Sequence, residues 1–472
     1  MRTTDHTRST TDIFNNDGVF ATVGLMSDSH RHSGTEQNRS NVSRRAFLAT
    51  TAGGSVVALA GCSGGGNGNS SSSSSSSSNP SSSAAGTSSS TSQTTGSAKG
   101  KKIKVGVVLP FSGTFASLGS LFMEGIKLAV QSELNGKVGD YEIELVKKDC
   151  KFSPSTGVTV TRELLNKDKV DVIMGPVSSA VGLAMKPVID KAGTATWIDI
   201  NAATTHLISQ NCSPYFIRAS YSTYTIGHPM GKWTYDNLGK TAVVAVMDYD
   251  FGHAAASAFK SAYKDAGGKV VKNISTSPSL SDYAPVVRNM ANTGADAVFC
   301  IYTSTAAANF MKAAQSFGLK DKMAITGYSP AEPPVHKALP DATTGVTTEE
   351  SYSIQLDNPT NQRFIKQYKS MYGKNKYPST DDEFSYVGFQ MLEKGVTEAK
   401  SKKPQDVIPE LRGATIHAPR GDIKIDPTTQ EILSPMLVEK ATGPKRTDYK
   451  ILEKFDPVKS PNYGCDISGT FQ

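Results

Sequence analysis

From Lys102 onward, short apolar runs alternate with amphipathic stretches. Ile103, Val105, Val107 and Leu109 occupy every second position, and Pro110-Phe111-Ser112-Gly113 then interrupts the strand. Phe122, Ile126, Ala129 and Val130 follow at helical spacing. The pattern predicts further strands over 141–146, 170–174 and 196–200, with helices over 158–166 and from the Gly175-Pro176 break to Lys191. A second series begins at Thr241, with strands over 241–247, 269–274, 297–302 and 323–326. Helices over 253–266, 283–292 and 306–317 separate them. Two more helices, near 362–372 and 384–398, make the remainder too long for a tail and predict a return to the first unit.

Strands joined by helices of this length form parallel sheets with right-handed crossovers. The expected fold is α/β, with two Rossmann-like lobes joined by a hinge that the chain crosses more than once. Lobe 1 is expected over 102–222 plus 352–432, and lobe 2 over 223–351 plus 433–460. Ligands of open parallel sheets bind beyond the carboxyl ends of the strands, where loops lead into helix N-termini. Those loops are 112–119, 175–180, 201–205, 248–253, 303–305 and 327–330, as a set rich in Ser, Thr and Gly. A lone Ser or Thr before a helix is ordinarily an N-cap. Six such loops on the same sheet edges point to a joint site for a carboxylate or similar polar head.

The first hundred residues read differently. Ser43-Arg44-Arg45-Ala46-Phe47-Leu48 resembles a twin-arginine export motif, and the apolar stretch behind it is too short to span a membrane. It ends in Leu59-Ala60-Gly61-Cys62, which looks like a lipobox, so residues 1–61 are expected to be a cleaved signal and Cys62 the lipidated first residue. The 42 residues before Ser43 are long for such a leader, which leaves Met26 as an alternative start. Residues 62–100, nearly all Ser, Gly, Thr, Asn and Ala, have too little apolar surface to offset ordering entropy and are expected to be a disordered tether. As a flexible coil it would reach about 35 Å from the membrane.

The chain has 38% hydrophobic residues and a net charge of +7 without a basic stripe, so neither composition nor charge points to nucleic acid. Of the remaining cysteines, Cys150, Cys212, Cys300 and Cys465, the third lies in an apolar run and reads as a buried thiol; the four allow three pairings. No Cys/His group has zinc-ligand spacing, so neither metal nor cofactor is expected.

Residues 102–455 resemble the leucine/isoleucine/valine-binding group of type I periplasmic binding proteins. The resemblance is carried by Val107-Val108-Leu109-Pro110-Phe111-Ser112-Gly113, by Gly175-Pro176-Val177-Ser178-Ser179 with Pro187-Val188, and by Asp248-Tyr249-Asp250-Phe251-Gly252. Within the group, Cys212-Ser213-Pro214-Tyr215-Phe216-Ile217-Arg218, His228-Pro229-Met230-Gly231-Lys232, Leu356-Asp357-Asn358-Pro359 and His417-Ala418-Pro419-Arg420-Gly421 look closest to receptors for aromatic acids. The resemblance implies a monomeric receptor, anchored outside the cell membrane, that feeds an ABC permease.

It also implies site residues. The Ser179 hydroxyl and the Thr204 hydroxyl and N–H would hold a ligand carboxylate, and the Ala202 carbonyl would face an amino group. Phe251 would close over the ligand from lobe 2, with Tyr224 and Phe115 as further stacking partners and Thr303 beside them. The family's acidic partner of an α-ammonium falls at or near Ser329, and its first-loop aromatic falls at Leu118. A buried ammonium without a counter-charge is costly, so an uncharged mouth favours a carboxylate with an aromatic or branched body. The disulfide common in amino-acid binders is expected to be absent, because Cys150 matches one end while Val177 or Ser178 occupies the other.

Competing readings are a branched-chain amino acid receptor, a urea or short-amide receptor, and a ligand sensor of the same fold. An enzyme is not expected: residues 102–472 hold no G-x-S-x-G elbow, H-E-x-x-H or Walker-type loop, and Asp248 and Asp250 read as helix-capping acids.

Overall fold

The computed structural model of the protein describes residues 100–471, apart from 114 and 211. The expected signal, Cys62 and the Ser-rich stretch therefore lie outside the described residues.

Six strands form the first sheet: β1 (Lys102–Leu109), β2 (Lys137–Val138), β3 (Tyr141–Asp149), β4 (Val172–Met174), β5 (Thr196–Asp199) and β6 (Phe216–Arg218). Their order is β2-β3-β1-β4-β5-β6. All are parallel except β2, which is antiparallel to β3. β1 is buried along nearly its whole length, as expected for a strand with helices over both faces.

The second sheet contains β7 (Thr241–Met247), β8 (Lys269–Thr276), β9 (Ala297–Ile301), β10 (Ala324–Tyr328) and β11 (Thr347–Glu350). A small three-stranded sheet, β12 (Thr415–Ala418), β13 (Gly421–Ile425) and β14 (Ile432–Leu433), follows. The chain then returns to the second sheet with β15 (Met436–Ala441) and β16 (Tyr449–Phe455), giving the order β16-β15-β11-β10-β9-β7-β8. β15 is antiparallel to β11 and β16 to β15, so only this late addition departs from a parallel sheet.

The periodic strands match the sequence reading to within a few residues. Helix Thr223–Asn237 does not announce itself in the sequence, because it holds Gly227, Pro229 and Gly231. Those glycines have a packing role. A Cβ at Gly227 would sit 2.2 Å from the Ala255 carbonyl, and one at Gly231 would sit 2.6 Å from the Tyr263 nitrogen. The helix therefore lies directly on helix Asp250–Asp265. Helix Thr380–Ala399 makes a similar approach to helix Ala116–Leu128, where a Cβ at Gly125 would meet the Asp382 carbonyl at 2.1 Å. The returning segment thereby covers the first sheet and places the start of its helix beside the loop that follows β1.

The chain passes between the lobes after β6, after β11 and after β14. Beyond β16 the tail crosses once more. Ser460 Oγ lies 2.7 Å from Glu431 Oε1 and 2.9 Å from Ser222 Oγ, and the Gln210 N–H donates to the Tyr463 carbonyl. Cys465 is disulfide-bonded to Cys212, while Cys150 and Cys300 are buried free thiols. Arg412 donates to the Thr470 hydroxyl at 2.6 Å, and Phe471 packs on Tyr215. No helix among the described residues is long and apolar enough to cross a membrane.

Candidate functional site

In the first sheet the crossovers change direction between β1 and β4, and in the second between β7 and β9. Loops at such switch points part and leave a crevice. Here the two crevices face each other and enclose a cleft with two joined chambers.

The inner chamber, about 60 Å³, is lined from lobe 1 by Phe115, Leu118, Phe152, Val177, Ser178, Ser179, Asn201, Tyr221 and Asp381. Lobe 2 contributes Tyr249, Phe251, Thr303, Tyr328, Ser329 and Glu332. The outer chamber, about 300 Å³, shares Leu118, Tyr328, Ser329, Glu332 and Asp381 and adds Leu121, Pro333, Val335 and Glu350 among others. That volume is at the lower end of small-molecule sites.

Aromatic rings dominate the inner walls. Phe115 and Phe152 stack at 3.9 Å, and Tyr249 stacks on Phe251 at 5.8 Å. The Tyr328 hydroxyl donates to that of Tyr221 at 2.7 Å, so one hydrogen bond spans the cleft from lobe to lobe. Three of its lining residues, Phe152, Ser304 and Ser329, have φ of 57°, 53° and 64°. Such left-handed backbone in residues other than glycine is held by the surroundings and gathers at binding sites.

At one side stands the N-terminus of helix Ser179–Ala192. Ser178 is its N-cap and accepts from the Val181 N–H. The Ser179 hydroxyl, on a residue only 7% exposed, has no partner among the described residues. An N-terminal turn with a spare hydroxyl suits a carboxylate. Two acids line the same chamber. The Ser304 N–H donates to Glu332 at 3.0 Å, and burial pushes the Glu332 carboxyl up to about 7. Burial, with Glu332 adding to it, pushes Asp381 up to about 8. Among the described residues, no Lys, Arg or His lines either chamber.

Of the residues expected from sequence, Ser179, Phe251, Thr303, Ser329 and Phe115 come together in the inner chamber. Ala202, Thr204 and Tyr224 do not. The buried Arg218 guanidinium takes the Ala202 carbonyl at 3.0 Å and the Thr204 carbonyl at 2.9 Å. The Thr204 hydroxyl caps its own short turn by accepting from the His206 N–H. Tyr224 stacks on His228 and lines a separate shallow groove with Tyr463 and Ser257. The mouth is also not uncharged in composition: Glu332 lies three residues beyond Ser329, and Asp381 enters from the helix that returns to lobe 1. The Pro-rich setting of Glu332 hid the first. For the second, Ser379 followed three residues later by Asp382 was a readable capping signal that moves the helix start forward to Thr380.

A model of the periplasmic binding protein family matches residues 102–445. The Leu/Ile/Val-binding protein homolog 6 of Brucella suis is 31% identical over 336 residues, which cover 70% of this chain and 85% of that protein. Among solved structures, a solute-binding protein of an ABC transporter from Rhodopseudomonas palustris BisB5, in complex with 3,4-dihydroxybenzoic acid, is 27% identical with a TM-score of 0.72. That likeness covers 76% of this chain and 99% of the other. A second R. palustris solute-binding protein, in complex with benzoate, is 27% identical with a TM-score of 0.71, over 77% and 99% of the two chains.

Proposed function

The chain belongs to the periplasmic binding protein family, and from that membership we propose that it captures a small carboxylate with an aromatic or branched body in the interlobe cleft and delivers it to an ABC importer. The observation that carries this reading is the Ser178–Ser179 helix start, whose unpartnered hydroxyl faces a chamber walled by six aromatic rings. Rings supply apolar contact and the helix terminus supplies charge stabilisation, the two needs of an aryl or alkyl carboxylate. The benzoate and dihydroxybenzoate bound by similar proteins support the aromatic choice.

An α-amino acid is the second reading, and Glu332 with Asp381 favours it, since either supplies the counter-charge that Ser329 lacks. Mass spectrometry of whatever small molecule co-purifies, followed by thermal shift against aromatic acids, aliphatic acids and amino acids, separates the two. Ser179→Ala should weaken carboxylate binding by about 1.5–3 kcal/mol in calorimetry. Thr204→Ala, outside the cleft, should leave affinity as it is. An unchanged constant for Ser179→Ala removes that residue from the site.

The receptor works outside the membrane, tethered through lipidated Cys62. Cells making Cys62→Ser should release the protein from the membrane fraction into the soluble one. Retention on the membrane would rule out this anchor.

A further inference from the structure

Asp381 is the second residue of helix Thr380–Ala399 and lies where the two chambers join. Its carboxyl makes no hydrogen bond and no ion pair among the described residues. The neighbouring acids are provided for: Glu332 accepts from the Ser304 N–H, and Glu350 from the hydroxyls of Thr348 and Thr380. A half-buried carboxyl without a partner is costly, and native proteins rarely keep one without use. The helix dipole favours an acid in the first turn. Asp382, which closes the capping box with Ser379, already fills that role.

We propose that Asp381 selects the ligand by accepting a hydrogen bond from a hydroxyl or amino group at the end of the molecule away from its carboxylate. The inference rests on the reading of the cleft as a carboxylate site. A plain carboxylate would engage the Ser179 end and leave Asp381 unpaired, whereas a hydroxy or amino acid of suitable length satisfies both.

The groups facing Asp381 are the Glu332 carboxyl and the hydroxyls of Tyr221 and Tyr328, with Glu350 on the hinge strand nearby; none is basic. The two donor types therefore leave different marks. An ammonium draws the proton off the acid and releases it to solvent, while a hydroxyl binds without that release.

The test uses the mature protein, refolded free of co-purified ligand, in calorimetry with benzoate, 4-hydroxybenzoate and 4-(aminomethyl)benzoate, each in two buffers of different ionisation enthalpy. At least one substituted probe should bind roughly tenfold tighter than benzoate. Asp381→Ala should abolish that advantage while leaving benzoate affinity within about threefold. Asp381→Asn should keep the advantage if the donor is a hydroxyl and lose it if the donor is an ammonium. Benzoate binding as tightly as both substituted probes to the wild type overturns the proposal without needing any variant, as does an advantage that survives in Asp381→Ala. If none of the three binds, the carboxylate reading underneath falls, and this inference with it.

Discussion

Raising the pH from 5.5 to 8.5 should lower the melting temperature of the ligand-free protein. Six acids around the hinge, Glu332, Glu349, Glu350, Asp381, Asp382 and Glu439, make no ion pair among the described residues. Burial raises all of them, Glu332 and Glu439 to about 7 and Asp381 and Asp382 to about 8. Glu349 and Glu350, side by side on β11, are raised well above the usual carboxylate range.

In the unfolded chain such groups ionise near pH 4. The fold therefore holds more protons than the unfolded state from about pH 4 up to the raised values. The stabilisation is complete below the unfolded values and is lost as pH climbs through the folded ones. Each group still protonated in the fold contributes about 1.4 kcal/mol per pH unit over its window. Allowing for relaxation around the half-buried members, a fall of roughly 5–10 °C between the two pH values is expected. The acids with lowered values, such as Asp149 and Asp426, act only below about pH 4 and do not interfere. Calorimetric scans of the ligand-free protein at four pH values provide the measurement. A melting temperature that is flat or rises across this range would show that the hinge acids are ionised and paired in the fold.

The second large effect concerns the tail. Cys212→Ser combined with Cys465→Ser opens a link between residues 253 apart in sequence. Closing so long a loop removes much entropy from the unfolded chain, so the double variant should lose about 2–5 kcal/mol. The damage should also be local. Without the link, the Gln210–Tyr463 backbone bond, the Arg412–Thr470 contact, the Ser460 hydrogen bonds and the packing of Phe471 on Tyr215 must hold the last residues. Urea denaturation gives the global figure, and limited proteolysis should cut the variant within 456–471 faster than it cuts the wild type there. An unchanged midpoint and an intact tail would mean that the disulfide carries no load.

How far the sequence could be read follows from which physical forces are local. The strands over 103–109, 241–247 and 297–302 are short apolar runs bounded by breaks, and they fall where periodicity places them. Ser179 and Phe251 follow from them, because a loop after a parallel strand points to the switch point. Ala202 shows the opposite case. Nothing near it in sequence reveals that Arg218, buried and paired with Asp199, claims its carbonyl. Gly227 and Gly231 argue against a helix by propensity, yet they permit the close contact that stabilises it. The hairpin of β15 and β16 is likewise a long-range addition to a sheet begun some 200 residues earlier.

The path of the tail also has a mechanical outcome. Lys102 opens the first sheet, and Phe471 finishes against Tyr215 of the same lobe. A pull applied at either end of the described chain is thus taken up by one body, which leaves the other as an unloaded flap. A reporter attached at Lys102 or at Phe471 will ride with the first lobe. A probe meant to register movement belongs on the flap, for instance on the exposed face of β8.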